Sequence, residues 1–319
     1  MLTDLPESDL RTYTSSQSCP DDFDEFWSHT LDEARSFAPN ATVTLTPTGL
    51  STIDTYDVRF SGFGGERVAA WLRVPAGTTE PLPTIVEFDG YGRGRGDAIQ
   101  NLLWASAGFA HLEMDTRGQS WSGWTNDTPD PHGSDAHAPG MLTKGIRQRE
   151  TYYYRRVYAD AVRAIDAART LPLVDPDRIG LLGTSQGGGI ALAVAGLTNG
   201  IAALVARVPF LCDFPRASTI TDSHPYRELA DYLSVYRNDT ASIHRTLAYF
   251  DGVNFAARAT APARFTVGLM DSVCPPSTVF AAHNAYRGER QLTVWPYNGH
   301  EGGGVVDDLS ALATFRELL

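Results

Sequence analysis

Residues 178–187, Arg-Ile-Gly-Leu-Leu-Gly-Thr-Ser-Gln-Gly, decide the fold of this chain. The first five residues are apolar enough for a buried strand, and the small residues over 187–197 favour a helix. Between them, Gly183-Thr184-Ser185-Gln186-Gly187 matches the pattern G-x-S-x-G. That pattern lies on a sharp strand-to-helix turn, where small neighbours let two backbones approach and the hydroxyl projects above the sheet. A phosphate-binding loop of this size requires a lysine that is absent here, so Ser185 is predicted to be a nucleophile.

Strand-like and helix-like segments alternate on both sides of this turn. The predicted strands are 41–47, 55–60, 66–74, 84–88, 109–114, 178–182, 202–207, 264–269 and 291–295. The predicted helices are 21–37, 97–107, 150–170, 187–197, 277–287 and 304–318. Such alternation predicts an α/β fold with a mainly parallel central sheet and helices on both faces.

The chain of 319 residues is predicted to form a single domain over 1–319, since α/β folds often use 250 residues or more in one unit. An N-terminal helix and antiparallel strands occupy 1–75. Residues 119–148 are rich in Gly, Pro, Asp and Trp, which predicts a long loop. Residues 211–260 are polar, with helical patches and no strand signal, which predicts a helical insertion before the strand at 264–269.

Composition excludes several classes of protein. The formal net charge is −12, so nucleic acid and anionic membrane surfaces are poor partners. The three cysteines, Cys19, Cys212 and Cys274, contain no CxxC pair and support neither a disulfide framework nor a zinc knuckle. No metal-binding motif of the H-E-x-x-H type is present, and we expect no metal or other cofactor. The sequence shows no targeting segment and no apolar run of membrane-spanning length, so we expect a cytoplasmic protein.

A serine hydroxyl needs a base that takes its proton, and histidine is the side chain suited to that task near neutral pH. Of the eight histidines, only His300 follows the last predicted strand, in a loop before the final helix. In an α/β-hydrolase fold the order along the chain is serine, acid, histidine. His300 is therefore the predicted base.

The acid that orients the histidine should follow a strand between Ser185 and His300. Asp271 and Asp213 both do so. Asp271 is favoured because its strand immediately precedes the strand that leads to the histidine, which places both loops at the same sheet edge. Asp213 remains the rival.

Developing negative charge on the substrate oxygen requires two N–H donors that are in position before the reaction starts. The residue after the nucleophile, Gln186, supplies one. The loop after the strand at 84–88 reads Gly90-Tyr91-Gly92, and the Tyr91 N–H is the favoured second donor.

Three motifs together resemble carbohydrate esterase family 7, the acetyl xylan esterases also called cephalosporin C deacetylases. They are Arg117-Gly118-Gln119 after a strand, Gly183-Thr184-Ser185-Gln186-Gly187 at the turn, and His300-Glu301 near the end. Further matches run from the aromatic start at 22–27 to residues 271–278, so the resemblance covers essentially the whole chain.

The resemblance implies a serine esterase that removes acetyl groups from acetylated xylo-oligosaccharides, other sugar acetates and cephalosporin C. It implies the triad Ser185, Asp271 and His300, with Tyr91 and Gln186 as N–H donors. Phe210 and Val273 are implied walls of the acyl pocket. A cytoplasmic homo-hexamer whose active sites face an internal cavity is also implied.

Two positions depart from that family's pattern. Asp89 stands where His usually precedes Gly-Tyr, and Ser120-Trp121 stands where Gly-Ser usually follows R-G-Q. An extra carboxylate beside the oxyanion loop would oppose negative charge unless it points away or is paired. Arg117 is predicted to be structural, a buried arginine that ties loops together.

Two other functions remain as alternatives. A peptidase of the same fold usually carries a propeller domain, but no repeat of 40–50 residues is present. A catalytically dead binding protein usually lacks a triad member, and here all three candidates are present.

Overall fold

The computed structural model describes residues 4–133 and 135–319, and nine strands within them form one sheet. Their order across the sheet is β1-β2-β3-β5-β4-β6-β7-β8-β9. The strands are β1 Thr42–Thr46, β2 Ile53–Ser61, β3 Arg67–Pro75, β4 Leu82–Phe88, β5 Ala110–Met114, β6 Val174–Thr184, β7 Ala203–Arg207, β8 Ala263–Gly268 and β9 Arg290–Trp295. The first three strands and the β3–β5 pair are antiparallel, and every pair from β5 to β9 is parallel.

Helices cover both faces of this sheet. They are α1 Glu7–Leu10, α2 Phe23–Arg35, α3 Leu103–Ser106, α4 Tyr153–Ala168, α5 Gln186–Leu197, α6 Phe214–Ile220, α7 Tyr226–Val235, α8 Thr240–Ala248, α9 Gly252–Ala256, α10 Pro276–Ala285 and α11 Val305–Leu318. On one face α3 and α11 cover a small core that includes Ile85, Trp104 and Phe315. The larger core lies on the other face, under α2, α4, α5 and α10. The predicted α/β-hydrolase fold is therefore confirmed.

The helical insertion predicted over 211–260 is present as α6 to α9, between β7 and β8. It packs on the larger core through buried aromatic side chains such as Tyr226 and Phe250. None of the helices in the described residues is both long and apolar enough to cross a membrane.

The helix predicted over 97–107 is wrong in its extent, because only Leu103–Ser106 is α-helical. Asn101 has a left-handed backbone conformation, with φ 52°, which interrupts any helix at that point. Its side-chain amide donates to the half-buried carboxylate of Glu87 at 2.9 Å and to the buried carboxylate of Glu113 at 2.8 Å. Satisfying these carboxylates takes precedence over the helical periodicity of the segment.

Arg117 lies at the centre of a buried ionic cluster. Its side chain and that of Asp160 are 0% and 1% exposed, and their Nε and Oδ2 atoms are 2.6 Å apart. Arg117 also contacts Glu66 at 2.5 Å, and Asp130 at 3.4 Å. Asp130 in turn accepts from Arg156 and Lys144. The cluster joins the segment after β5 to α4 and to the start of β3, which agrees with the structural role predicted for Arg117.

Substituting Arg117→Met is expected to lower the free energy of unfolding by about 3–5 kcal/mol, because the buried Asp160 carboxylate loses its counter-charge. Urea denaturation followed by circular dichroism measures this loss. The matched control is Arg11→Met, which breaks an exposed pair with Glu7 and should leave the urea midpoint almost unchanged. Equal effects of the two substitutions would contradict the structural role of Arg117.

Candidate active site

Ser185 lies on a sharp turn between β6 and α5. Its backbone has φ 59° and ψ −119°, an unfavourable conformation for a residue with a side chain. Two glycines permit the turn: a Cβ on Gly183 would lie 2.1 Å from the carbonyl carbon of Gly187, and one on Gly187 would lie 1.8 Å from the Phe88 oxygen. The strain therefore persists because three backbone segments touch here. The resulting turn projects the Ser185 hydroxyl above the carboxyl edge of the sheet.

His300 and Asp271 complete a hydrogen-bonded chain with this serine. His300 Nε2 lies 3.0 Å from Ser185 Oγ, and His300 Nδ1 lies 2.8 Å from Asp271 Oδ2. Asp271 is fully buried, and its Oδ1 accepts from the N–H groups of Val273 and Cys274. Such a chain can move the serine proton to the imidazole while the carboxylate fixes the ring and stabilises its positive form.

Asp213, the rival acid, lies elsewhere. Its carboxylate accepts from the hydroxyls of Tyr13 and Ser15, both at 2.8 Å, in the N-terminal segment. The structure thus brings Ser185, His300 and Asp271 together and gives Asp213 separate partners.

The two predicted oxyanion donors are backbone N–H groups without an acceptor in the described part of the chain. Gln186 is the first residue of α5, where the helix itself offers its N–H no acceptor. Within residues 4–133 and 135–319, neither the Gln186 N–H nor the Tyr91 N–H donates a hydrogen bond to another group. Both donors are therefore free to bind a substrate oxygen, as the predicted role requires.

The two donors are connected by side chains that were not predicted to belong to the site. Gln119, from the R-G-Q motif, accepts from the Gly92 N–H at 2.6 Å and donates to Gln186 Oε1 at 2.8 Å. The same Gln186 oxygen accepts from the Tyr154 hydroxyl at 2.8 Å. Gln119 thus holds the oxyanion loop against the start of α5. The R-G-Q motif indicated that Gln119 matters, but its hydrogen-bond partners Gly92 and Gln186 are distant in the sequence and are identified by the fold.

The Tyr91 ring anchors the oxyanion loop to the insertion. Its hydroxyl donates to the Glu228 carboxylate on α7, at 2.8 and 2.9 Å, and accepts from the Leu142 N–H at 3.0 Å. Glu228 is 3% exposed, and burial raises its pKa to about 7. This glutamate was not predicted, because 137 residues separate it from Tyr91 in the sequence.

An open cavity of about 580 Å³ lies over Ser185 and His300. Val273 lines it, as the resemblance implied. Phe210 does not appear among the lining residues of the described chain. It is fully buried behind Tyr91, with ring centroids 6.0 Å apart. Phe210 therefore supports the pocket from behind, and its contact with an acyl group remains a prediction.

One group of side chains among the described residues has a metal-compatible spacing, Asp271, Cys274 and His300. Two of these three are already joined by the short Asp271–His300 hydrogen bond. The three cysteines of the chain are free thiols, and Cys274 is buried.

Comparison with known proteins identifies the family. The model of the acetyl xylan esterase (AXE1) family matches residues 1–316. The chain belongs to this family. Its members are carboxylic ester hydrolases, and the resemblance seen in the sequence is thereby confirmed.

Individual members of this esterase family are similar along most of the chain. An acetyl xylan esterase from Paenibacillus sp. R4 superposes with a TM-score of 0.93 and 35% identity, covering 99% of this chain and 100% of that one. Acetyl xylan esterase 1 from Thermoanaerobacterium sp. JW/SL YS485 gives 0.91 and 34%, covering 99% of each. The acetyl esterase Axe7A of Xylanibacter ruminicola is 30% identical over 91% of this chain, which spans only 65% of that protein.

Substituting Asp271→Asn is expected to lower kcat by several orders of magnitude, because the amide no longer fixes the imidazole tautomer or stabilises its charge. Turnover of p-nitrophenyl acetate measures this loss. Asp213→Asn is the matched control, a buried aspartate with different partners, and should retain most activity. If the losses are reversed, the triad is misassigned.

The raised pKa of Glu228 predicts a pH-dependent stability. The unfolded side chain ionises near pH 4.5, whereas the folded one ionises near 7. Protonation of Glu228 therefore stabilises the folded protein at low pH. This contribution to the free energy of unfolding decreases by about 1.4 kcal/mol per pH unit between 4.5 and about 7, and it is lost as the pH rises through about 7. The Glu228→Gln variant cannot titrate at this position. Its urea midpoint should therefore rise relative to that of the wild type as the pH increases from 5 to 8. Parallel pH profiles would refute this assignment.

Proposed function

We propose that the enzyme removes acetyl groups from acetylated xylo-oligosaccharides and related sugar acetates through an acetyl-enzyme intermediate. The observation that carries the proposal is the hydrogen-bonded chain from Ser185 Oγ through His300 to Asp271, at 3.0 and 2.8 Å, in a member of the acetyl xylan esterase family. The names of three similar proteins, all acetyl or acetyl xylan esterases, support the substrate class.

In the first half-reaction, Ser185 Oγ attacks the acetyl carbonyl carbon while His300 Nε2 takes the hydroxyl proton. The carbonyl oxygen becomes an oxyanion, which the Tyr91 and Gln186 N–H groups bind. The imidazolium, stabilised by Asp271, then gives its proton to the oxygen of the departing alcohol. The C–O bond to the alcohol breaks, and Ser185 carries the acetyl group.

The second half-reaction repeats this proton transfer with water. His300 takes a proton from a water molecule, whose oxygen attacks the acetyl carbon. The proton then returns to Ser185 Oγ as acetate departs. The cavity opens to solvent above His300, whose side chain is 31% exposed, so water reaches the acetyl-enzyme without a conformational change.

The strained turn also supports the mechanism. Ser185 is 8% exposed, and its backbone is fixed by hydrogen bonds from the Ser185 N–H to the Arg207 carbonyl and from the Phe210 N–H to the Ser185 carbonyl, both at 2.9 Å. The nucleophile is therefore held in place before substrate arrives, which lowers the entropic cost of reaching the transition state.

The direct test is deacetylation of acetylated xylo-oligosaccharides by the wild-type enzyme and by Ser185→Ala. We expect acetate release to fall by several orders of magnitude in the variant, because the covalent route is lost. Rapid quenching and intact-mass spectrometry should find one added acetyl group on the wild type and none on the variant.

Ser310→Ala, on the exposed side of α11, is the control and should retain full activity. Retention of more than a few per cent of activity by Ser185→Ala would overturn the assignment of the nucleophile. Wild-type activity on p-nitrophenyl acetate, with no acetate released from the oligosaccharides, would overturn the substrate class alone.

A further inference from the structure

Arg93 is an exposed arginine that lines the active-site cavity together with Ser185 and His300. Arg95, two residues later, is buried and pairs with two aspartates at 2.7 and 2.6 Å. In the described part of the chain, no carboxylate forms an ion pair with Arg93. A cation that faces a cavity without a partner can bind an anionic group that enters with the substrate.

A tight turn fixes the place of Arg93 in the oxyanion loop. The Arg93 N–H donates to the Gly90 carbonyl at 3.2 Å, which closes a four-residue turn over residues 90–93. Gly92 is the third residue of this turn and has φ 83°, the left-handed conformation that such a position adopts. The same turn carries the Tyr91 N–H, so Arg93 lies two residues from the donor proposed to bind the substrate oxygen.

Trp124 restrains the Arg93 guanidinium without neutralising it. The central carbon of the guanidinium lies 5.2 Å from the centroid of the Trp124 ring, within the range of a cation–π contact. The indole itself packs against Gly96, where an added Cβ would lie 2.6 Å from the ring atom Cε3. A stacked arginine keeps its charge and its N–H donors, and it loses less side-chain entropy when it binds a ligand.

Two acidic side chains, Glu87 and Asp89, also line the cavity. Glu87 Oε2 accepts from Asn101 at 2.9 Å and lies 2.9 Å from His111 Nε2, so this carboxylate has other partners. Burial raises the pKa of Asp89 well above its ordinary value, and neighbouring carboxylates raise it further, against the opposing effect of Arg93. A neutral Asp89 does not offset the positive charge of Arg93, which therefore remains available to a ligand.

A carboxylate matches this cation better than a phosphate does. A guanidinium presents parallel N–H donors that fit the two oxygens of a carboxylate. Arg93 carries one charge, and a phosphate dianion would keep an uncompensated charge in a chain whose formal net charge is −12. Because the acetyl group reacts at Ser185, the carboxylate must belong to the alcohol part of the ester. A xylo-oligosaccharide with a uronic acid branch is an alcohol of this kind.

We propose that Arg93 binds a carboxylate on the alcohol part of the substrate, so that the enzyme favours acetate esters of acidic alcohols. The inference rests on the proposed function, since it names the class of alcohol that the same site selects. Arg93 takes no part in the proton transfer between Ser185 and His300. Its substitution should therefore change the preference among esters more than it changes the chemical step.

The test compares 3-acetoxybenzoate with 3-acetoxybenzamide. These esters share the acetyl group, the ring and nearly the same shape, but only the first is an anion near neutral pH. We expect Arg93→Gln to lower the ratio of kcat/KM for the benzoate to kcat/KM for the benzamide about fivefold, mainly through KM. Arg93→Lys keeps the charge and should retain part of the preference. In about 0.5 M NaCl the wild-type ratio should fall towards that of Arg93→Gln, because salt screens an exposed pair.

Arg316→Gln is the matched control, because it removes the same charge from an exposed position on α11 that does not line the cavity. It should leave the ratio of the two kcat/KM values unchanged. Binding is measured separately, by inhibition of p-nitrophenyl acetate hydrolysis. The inhibition constant of 3-hydroxybenzoate should rise about fivefold in Arg93→Gln, and that of 3-hydroxybenzamide should change much less.

An unchanged ratio in Arg93→Gln, or an equal fall in Arg316→Gln, would overturn the inference while leaving the proposed function intact. An inhibition constant for 3-hydroxybenzoate that does not change in Arg93→Gln would do the same. If the wild type deacetylates neither these esters nor acetylated xylo-oligosaccharides in a Ser185-dependent manner, the proposed function fails, and the inference fails with it.

Discussion

The close approach of three backbone segments around Ser185 is the constraint on which the rest of the site depends. The end of β4, the end of β6 and the start of α5 meet without room for a side chain at Gly183 or Gly187. That contact forces the positive φ of Ser185 and places Phe88 against the first turn of α5. This one backbone contact therefore positions the nucleophile, one oxyanion donor and the loop that carries the other donor.

Polar side chains then hold this arrangement in register. Gln119 bridges the oxyanion loop and Gln186, and the buried tyrosines of α4 complete the network through Tyr153 and Tyr154. Because every amide in it is satisfied, this buried network fixes one geometry instead of several. The R-G-Q and G-x-S-Q-G motifs are thus two halves of one hydrogen-bonded unit.

The sequence allowed the fold and the proximity of Ser185, His300 and Asp271 to be predicted, because their signals lie in a short motif and in the order of the strands. The turn at Ser185 has a short motif, and the strand order restricts His300 and Asp271 to one sheet edge. The role of Glu228 and the true extent of the helix predicted over 97–107 depend on contacts between residues that are far apart in the sequence. Glu228 meets Tyr91 across 137 residues, and Asn101 leaves the helical conformation to satisfy carboxylates of two separate strands. Long-range polar pairing overrides helical periodicity at Asn101, and at Glu228 it joins residues that periodicity does not relate.

The hydrogen bonds between Tyr91 and the insertion bear on how long the enzyme stays active on heating. The oxyanion loop is tied to α7 through Glu228, whereas the sheet is tied together by continuous strand pairing and two apolar cores. A short helix outside the sheet, such as α7, opens locally at a lower cost in free energy than a central strand. Opening of α7 alone would release the Tyr91 ring and displace its N–H from the reacting oxygen. We therefore expect inactivation on heating to begin at α7, so that strengthening this helix prolongs the working life of the enzyme more than repacking its core does.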